Sequence, residues 1–96
     1  DIEPARFYNW YAYSEVLMLI GEYQDAVTLL DLAIKSHDRA ELYYQLSNCH
    51  FHLNDQEKMS FNLEKALLMD PEIADDMQEK YPFIKEEAKK VKAKKK

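Results

Sequence analysis

The stretch GEYQDAVTLLDLAIKS, residues 21–36, decides the fold. Ala26, Val27, Leu29, Leu30, Ala33 and Ile34 recur at steps of three and four, which gathers apolar side chains on one face of an α-helix running from about Tyr23 to Ser36. Gly21 stands where a preceding helix must end, because glycine enters the left-handed conformation that closes a helix without a Cβ penalty. Upstream, residues 7–19 are apolar or aromatic almost throughout. Trp10, Tyr13, Leu17 and Ile20 share one helical face there, and the pattern predicts a helix buried on more than one side. Helices joined by two or three residues generally pack antiparallel, so residues 7–36 form a helical hairpin.

Downstream the plan recurs. Asp38 and Glu41 have the spacing of a capping box, predicting a third helix from near Arg39 to about Leu53. Asn54 stands in a position that asks for a left-handed residue, and Asp55 is placed to cap a fourth helix ending near Met69. Asp70-Pro71 opens a fifth, since proline is tolerated in the first helical turn, and Pro82 interrupts it. Sliding the chain by 33 residues pairs Trp10 with Tyr43, Tyr13 with Leu46, Ser14 with Ser47, Gly21 with Asn54, Ala26 with Met59, Leu30 with Leu63, Ala33 with Ala66 and Ile34 with Leu67. Self-similarity at such a period marks a solenoid. Small residues such as Ser14, Ser47, Ala33 and Ala66 permit close helix approach, and the large apolar ones fill the space between.

The composition agrees with an all-α class: 47% of the residues are hydrophobic, glycine occurs once and proline three times. The net charge of -5 conceals a division. Residues 85–96 hold seven lysines against two glutamates, whereas residues 1–84 hold six basic and sixteen acidic side chains. The acidic body disfavours nucleic acid and favours basic or neutral partners. Cys49 stands alone, so no internal disulfide is expected, and this leans towards a reducing, cytoplasmic location while leaving the compartment unassigned. The longest apolar run, Val16 to Ile20, is far too short to insert across a membrane. A first residue of aspartate rather than methionine gives the expectation of a piece of a longer protein.

In register, these residues resemble the tetratricopeptide repeat. The first hairpin offers Trp10, Gly21-Glu22-Tyr23, Ala26 and Ala33, and the second closes on Lys65-Ala66-Leu67-Leu68-Met69-Asp70-Pro71, which is similar to the family's usual final run. Ser14 and Ser47 depart from the first glycine of the pattern, Met59 from an alanine, and His37-Asp38 lacks a proline and one residue of spacing. The resemblance implies a right-handed stack: residues 1–6 as the end of a preceding repeat or a linker, hairpins over 7–39 and 40–73, a capping helix over 74–84 with Asp75, Asp76, Gln78, Glu79 and Lys80 on its polar face, and a frayed lysine-rich tail over 85–96.

The resemblance also implies a concave groove lined by the first helix of each hairpin. Tyr8, Tyr11, Glu15 and Met18 fall at the matching positions of the first, and Glu41, Tyr44, Asn48 and Phe51 at those of the second, with His52 at the edge. Each set shares a helical face. Tyr11 and Tyr44 are expected at the groove surface, where rings with a polar tip suit a peptide. Family members that clamp a terminal carboxylate carry a lysine and asparagines there. Here the lysine position holds Tyr11 and an asparagine position Glu15, with Glu41 nearby, which argues against an acidic-tail ligand.

Cys49-His50-Phe51-His52 invites a metal reading, but residues two apart on a helix diverge, so His50 and His52 cannot share an ion. The expectation is that Cys49 and His50 belong to the core and His52 to the surface, with no metal and no other cofactor. Nor is there a glycine-rich phosphate loop, a Gly-x-Ser-x-Gly turn or a cysteine pair, and carboxylates such as Asp25, Asp31 and Glu64 are expected to solvate helix faces. A non-catalytic module holding a protein or peptide is the leading expectation. The alternatives are an architectural or self-associating segment of a longer solenoid, and an adaptor whose lysine tail touches nucleic acid or an anionic surface.

Overall fold

The computed structural model describes residues 2–77, 84 and 86–90, with side chains described from Asn9 onward. Among residues 2–77 the helices follow one another as α1 (Ile2–Leu19), α2 (Tyr23–Ser36), α3 (Ala40–His52), α4 (Gln56–Met69) and α5 (Ile73–Asp76), and the described residues contain no strand. Consecutive helices pack in pairs, α1 on α2 and α3 on α4, and α2 packs on α3 to join the two hairpins. The fold is the all-α stack of helical hairpins that the periodicity predicts.

The turns show why the chain repeats. Gly21 has φ +84°, the Gly21 N–H donates to the Met18 carbonyl (3.1 Å) and the Glu22 N–H to the Leu17 carbonyl (2.8 Å). This Schellman arrangement satisfies carbonyls that the helix end leaves open. Asn54 repeats it at φ 62°, with its N–H on the Phe51 carbonyl (3.2 Å) and the Asp55 N–H on the His50 carbonyl (2.9 Å). The second helices end differently but alike: His37 and Asp70 are extended, and their N–H groups donate to Ala33 and Ala66 at 2.8 and 2.9 Å.

One core runs through both hairpins. Ala26, Leu30 and Ala33 of α2 and Met59, Leu63 and Ala66 of α4 are buried in it, as are the two serines that the repeat aligns, Ser14 of α1 and Ser47 of α3. A fully buried leucine contributes roughly 1.5–3 kcal/mol. The serines fit because their hydroxyls find acceptors without occupying much space. Ser47 Oγ donates to the Met59 carbonyl at 2.9 Å, and Ser14 Oγ lies 2.8 Å from the Tyr11 carbonyl and 3.2 Å from Gln45 Oε1.

Several expectations need correction. α1 begins at Ile2 rather than near Phe7, because Pro4 falls within the first turn, where a missing N–H costs nothing. It is not buried on more than one side: Tyr13, Val16, Leu19 and Ile20 are exposed. The Asp38–Glu41 capping box is not made, since Arg39 holds the cap position without a side-chain bond and Asp38 Oδ1 instead accepts from Tyr43 Oη at 2.7 Å. α5 starts at Ile73 rather than Pro71, because Asp70 Oδ1 accepts the Glu72 N–H (3.1 Å) and holds a turn there. Residues 86–90 of the tail are helical: Ala88 and Ile84 are buried, while Lys89 and Lys90 lie 3.5 and 3.4 Å from Glu86 and Glu87. The expected interruption at Pro82 and the final residues 91–96 lie outside the described residues.

Candidate functional site

The first helices of the two hairpins meet through side chains that the repeat places in register. Ser14 of α1 reaches Gln45 of α3, and Asn48 Nδ2 of α3 donates to the Met18 Sδ of α1 at 3.4 Å. Gln45, Asn48 and Met18 are all buried by this junction. Helical spacing sets Tyr11 and Glu15 beside Ser14 and Met18 on α1, and Glu41 and Phe51 beside Gln45 and Asn48 on α3. All four are half-buried.

Three of the expected groove residues are therefore not groove residues in the sense of an accessible lining. Tyr44 is 0% exposed, Asn48 and Met18 are buried, and the expectation of Tyr44 at the surface is overturned. The cause is that α3 packs against α2, α4 and α5 and also meets α1 through the Ser14–Gln45 and Asn48–Met18 links. Burial, and next the carboxylate of Asp75, push the Tyr44 phenol up to about 12. Periodicity reveals which residues share a face but not which neighbour later covers it. The Tyr8 side chain lies outside the described residues.

At the open end of α3, His52 is exposed and its ring stacks on Tyr23 (centroids 4.4 Å apart, planes at 10°), while Phe51 meets it edge-on at 5.3 Å. Partial desolvation of the ring lowers the His52 imidazole from its ordinary value. Tyr23 was missing from the expected site, although the tyrosine two residues after Gly21 was the available signal. Gln45, which holds the junction, gave no signal, because a glutamine on a helix reads as a solvated residue until its partner is known.

Cys49 and His50 are buried in the core and His52 lies on another face, as expected of a helix. Burial pushes the Cys49 thiol up to about 12 and lowers the His50 imidazole, the latter despite the opposing pull of Asp55. Such a thiol is protonated and a poor nucleophile or ligand at neutral pH. Among the described residues no three His, Cys, Asp or Glu side chains converge for a metal, and no helix is long and apolar enough to cross a membrane.

Comparison with known proteins gives one match. A family model described as tetratricopeptide repeat covers residues 40–73, which comprise α3, α4 and the entry into α5. No curated protein and no solved structure matches the chain. The segment that matches also carries the Schellman turn at Asn54 and the buried Ser47, Met59, Leu63 and Ala66, and it repeats the hairpin before it. Residues 40–73 thus match the tetratricopeptide repeat, and the helical hairpins of the described residues are consistent with a fragment of such a protein.

Proposed function

We propose that the chain holds a peptide or helix of another protein across the junction of α1 and α3, on Tyr11, Glu15, Glu41 and Phe51, with His52 at the rim. Tetratricopeptide repeats are generally protein-binding and typically non-catalytic modules. The observation that supports this surface is the pair of side-chain links, Ser14 to Gln45 and Asn48 to Met18, which joins the two helices that carry these half-buried rings and carboxylates. Aromatic rings supply area and a hydrogen-bonding tip at low entropic cost, and the carboxylates select the sign of the partner. Two glutamates favour a basic or neutral segment over an acidic tail.

The test is calorimetry with two helical peptides of equal length and apolar content, one rich in lysine and one in glutamate. Binding is expected from the basic peptide alone, and a Glu15→Lys/Glu41→Lys variant with an unchanged circular-dichroism spectrum should lose at least about 1 kcal/mol of it. Micromolar affinity for the acidic peptide would sink the proposal.

A further inference from the structure

The charges of the helices are sorted by place in each pair. Among the described side chains, the leading helices α1, α3 and α5 carry Glu15, Glu41, Asp75 and Asp76 and neither lysine nor arginine. Lys35, Lys58 and Lys65 all stand on the following helices α2 and α4, and Arg39 stands one residue before α3. The carboxylates are drawn towards α3 from two directions. Glu15 adjoins Ser14, which reaches Gln45, and Glu41 stands one turn before Gln45 on α3 itself. From the other direction comes α5, which packs on α3, and the charge of its Asp75 bears on Tyr44, one turn after Glu41.

The opposite charge lies in the same chain. Lys89 and Lys90 pair with Glu86 and Glu87, and after them Lys92, Lys94, Lys95 and Lys96 follow with no acidic residue among them. The start of this segment is held to the body, because Ile84 and Ala88 are buried. The six residues after Lys90 lie outside the described ones, and six residues extend at most about 20 Å. That reach is comparable with the two shorter dimensions of the molecule, 27 and 22 Å. A segment tethered at such range acts at an effective concentration on the order of millimolar, so a modest electrostatic attraction suffices to seat it.

We infer that residues 91–96 of this chain fold back on the carboxylates of α1, α3 and α5 and compete in cis with an external basic segment. The chain thereby regulates its own surface by charge. The inference rests on the function proposed above and adds what occupies that surface when an external segment does not.

The test is calorimetry at low ionic strength with the lysine-rich helical peptide, on the full chain and on its Lys92→Gln/Lys94→Gln/Lys95→Gln/Lys96→Gln variant. The variant should bind about tenfold more tightly, the factor by which a tether acting at about 1 mM masks a site of about 100 µM affinity. Lys94→Gln/Lys95→Gln should shift affinity the same way by less, and serves should circular dichroism show the fourfold variant disturbed. Equal affinities of variant and wild type overturn the inference and leave the proposed surface standing, whereas no binding by any chain overturns both. Lys35→Gln/Lys58→Gln, which removes positive charge from α2 and α4, should leave affinity unchanged. A gain there equal to that of the tail variant reduces the effect to net charge and overturns the inference. So does sedimentation in which the mass of the wild-type chain, but not of the fourfold variant, rises with concentration, because the lysines then seat on a second copy.

Discussion

The two hairpins share their backbone devices but not their surroundings. Gly21 and Asn54 end α1 and α3 with the same pair of hydrogen bonds, and His37 and Asp70 end α2 and α4 with the same extended residue. Yet α3 is enclosed, burying even Gln45, Ser47, Asn48 and His50, while the more apolar α1 leaves Tyr13, Val16 and Ile20 in solvent. Local conformation is written in local residues. Burial is decided by how many neighbours a helix acquires, and hydrophobic content alone does not foretell it.

The comparison is broken most severely in the shared core. Leu30 and Leu63 are matched in register and both fully buried, so Leu30→Ala and Leu63→Ala should each lower unfolding free energy by about 2–5 kcal/mol in urea titration. Leu68→Ala, at an exposed position, should stay within about 0.5 kcal/mol. A cost confined to one hairpin would show that the two do not contribute equally to one core.

The enclosure of α3 is tested by alkali. Tyr44 and Cys49, buried there, have values raised from 10.0 and 9.0 to about 12. A raised folded-state value means that the folded chain keeps protons the unfolded chain has lost, so the contribution is fully present below the unfolded values and disappears as pH rises through about 12. Urea midpoints should therefore fall above pH 9, with a slope of up to about 1.4 kcal/mol per pH unit for each group. Tyr44→Phe should flatten the upper part of that profile. In acid the sign reverses for His50, whose lowered value makes its contribution present above the unfolded histidine range and lost as pH falls.

The smallest effects sharpen the likeness of the turns. A Cβ at Gly21 would meet nothing within 4 Å, so Gly21→Ala should cost only the left-handed conformation itself, about 1–2 kcal/mol. Asn54→Gly should be neutral or gain a few tenths of a kcal/mol, and thermal melts of both variants separate strain from packing. An Asn54→Ala cost equal to that of Gly21→Ala would show the two turns to be energetically equivalent.

What the sequence made legible follows the same division. The ends of α1 and α3, the cap at Asp55 (Oδ1 accepting the Lys58 N–H at 3.1 Å) and the burial of Ser14, Ser47, Ala33 and Ala66 were readable, because each depends on residues a few positions apart or on a repeat that can be aligned. The Asp38 cap was not, since the Tyr43 hydroxyl competes for the same carboxylate. Burial also helps to push that phenol up to about 12, ahead of the Asp38 hydrogen bond and charge. Tyr44 was misplaced in the groove because α5 and Asp75 lie 31 residues further along the chain, beyond α4. Tyr11, Glu15, Glu41 and Phe51 are half-buried and His52 is exposed, so each keeps a share of the surface.

Cys49 gives this fold a timer. Its sulfur is the single thiol of the chain, sealed within α3 and held protonated, so a disulfide reagent can react only when the stack parts around it. When reclosing outpaces the reagent, the labelling rate divided by that of a free thiol reports the population of the opened chain without any denaturant. Anything that seats against the stack and favours the closed state must slow that reaction, and the retardation measures occupancy directly.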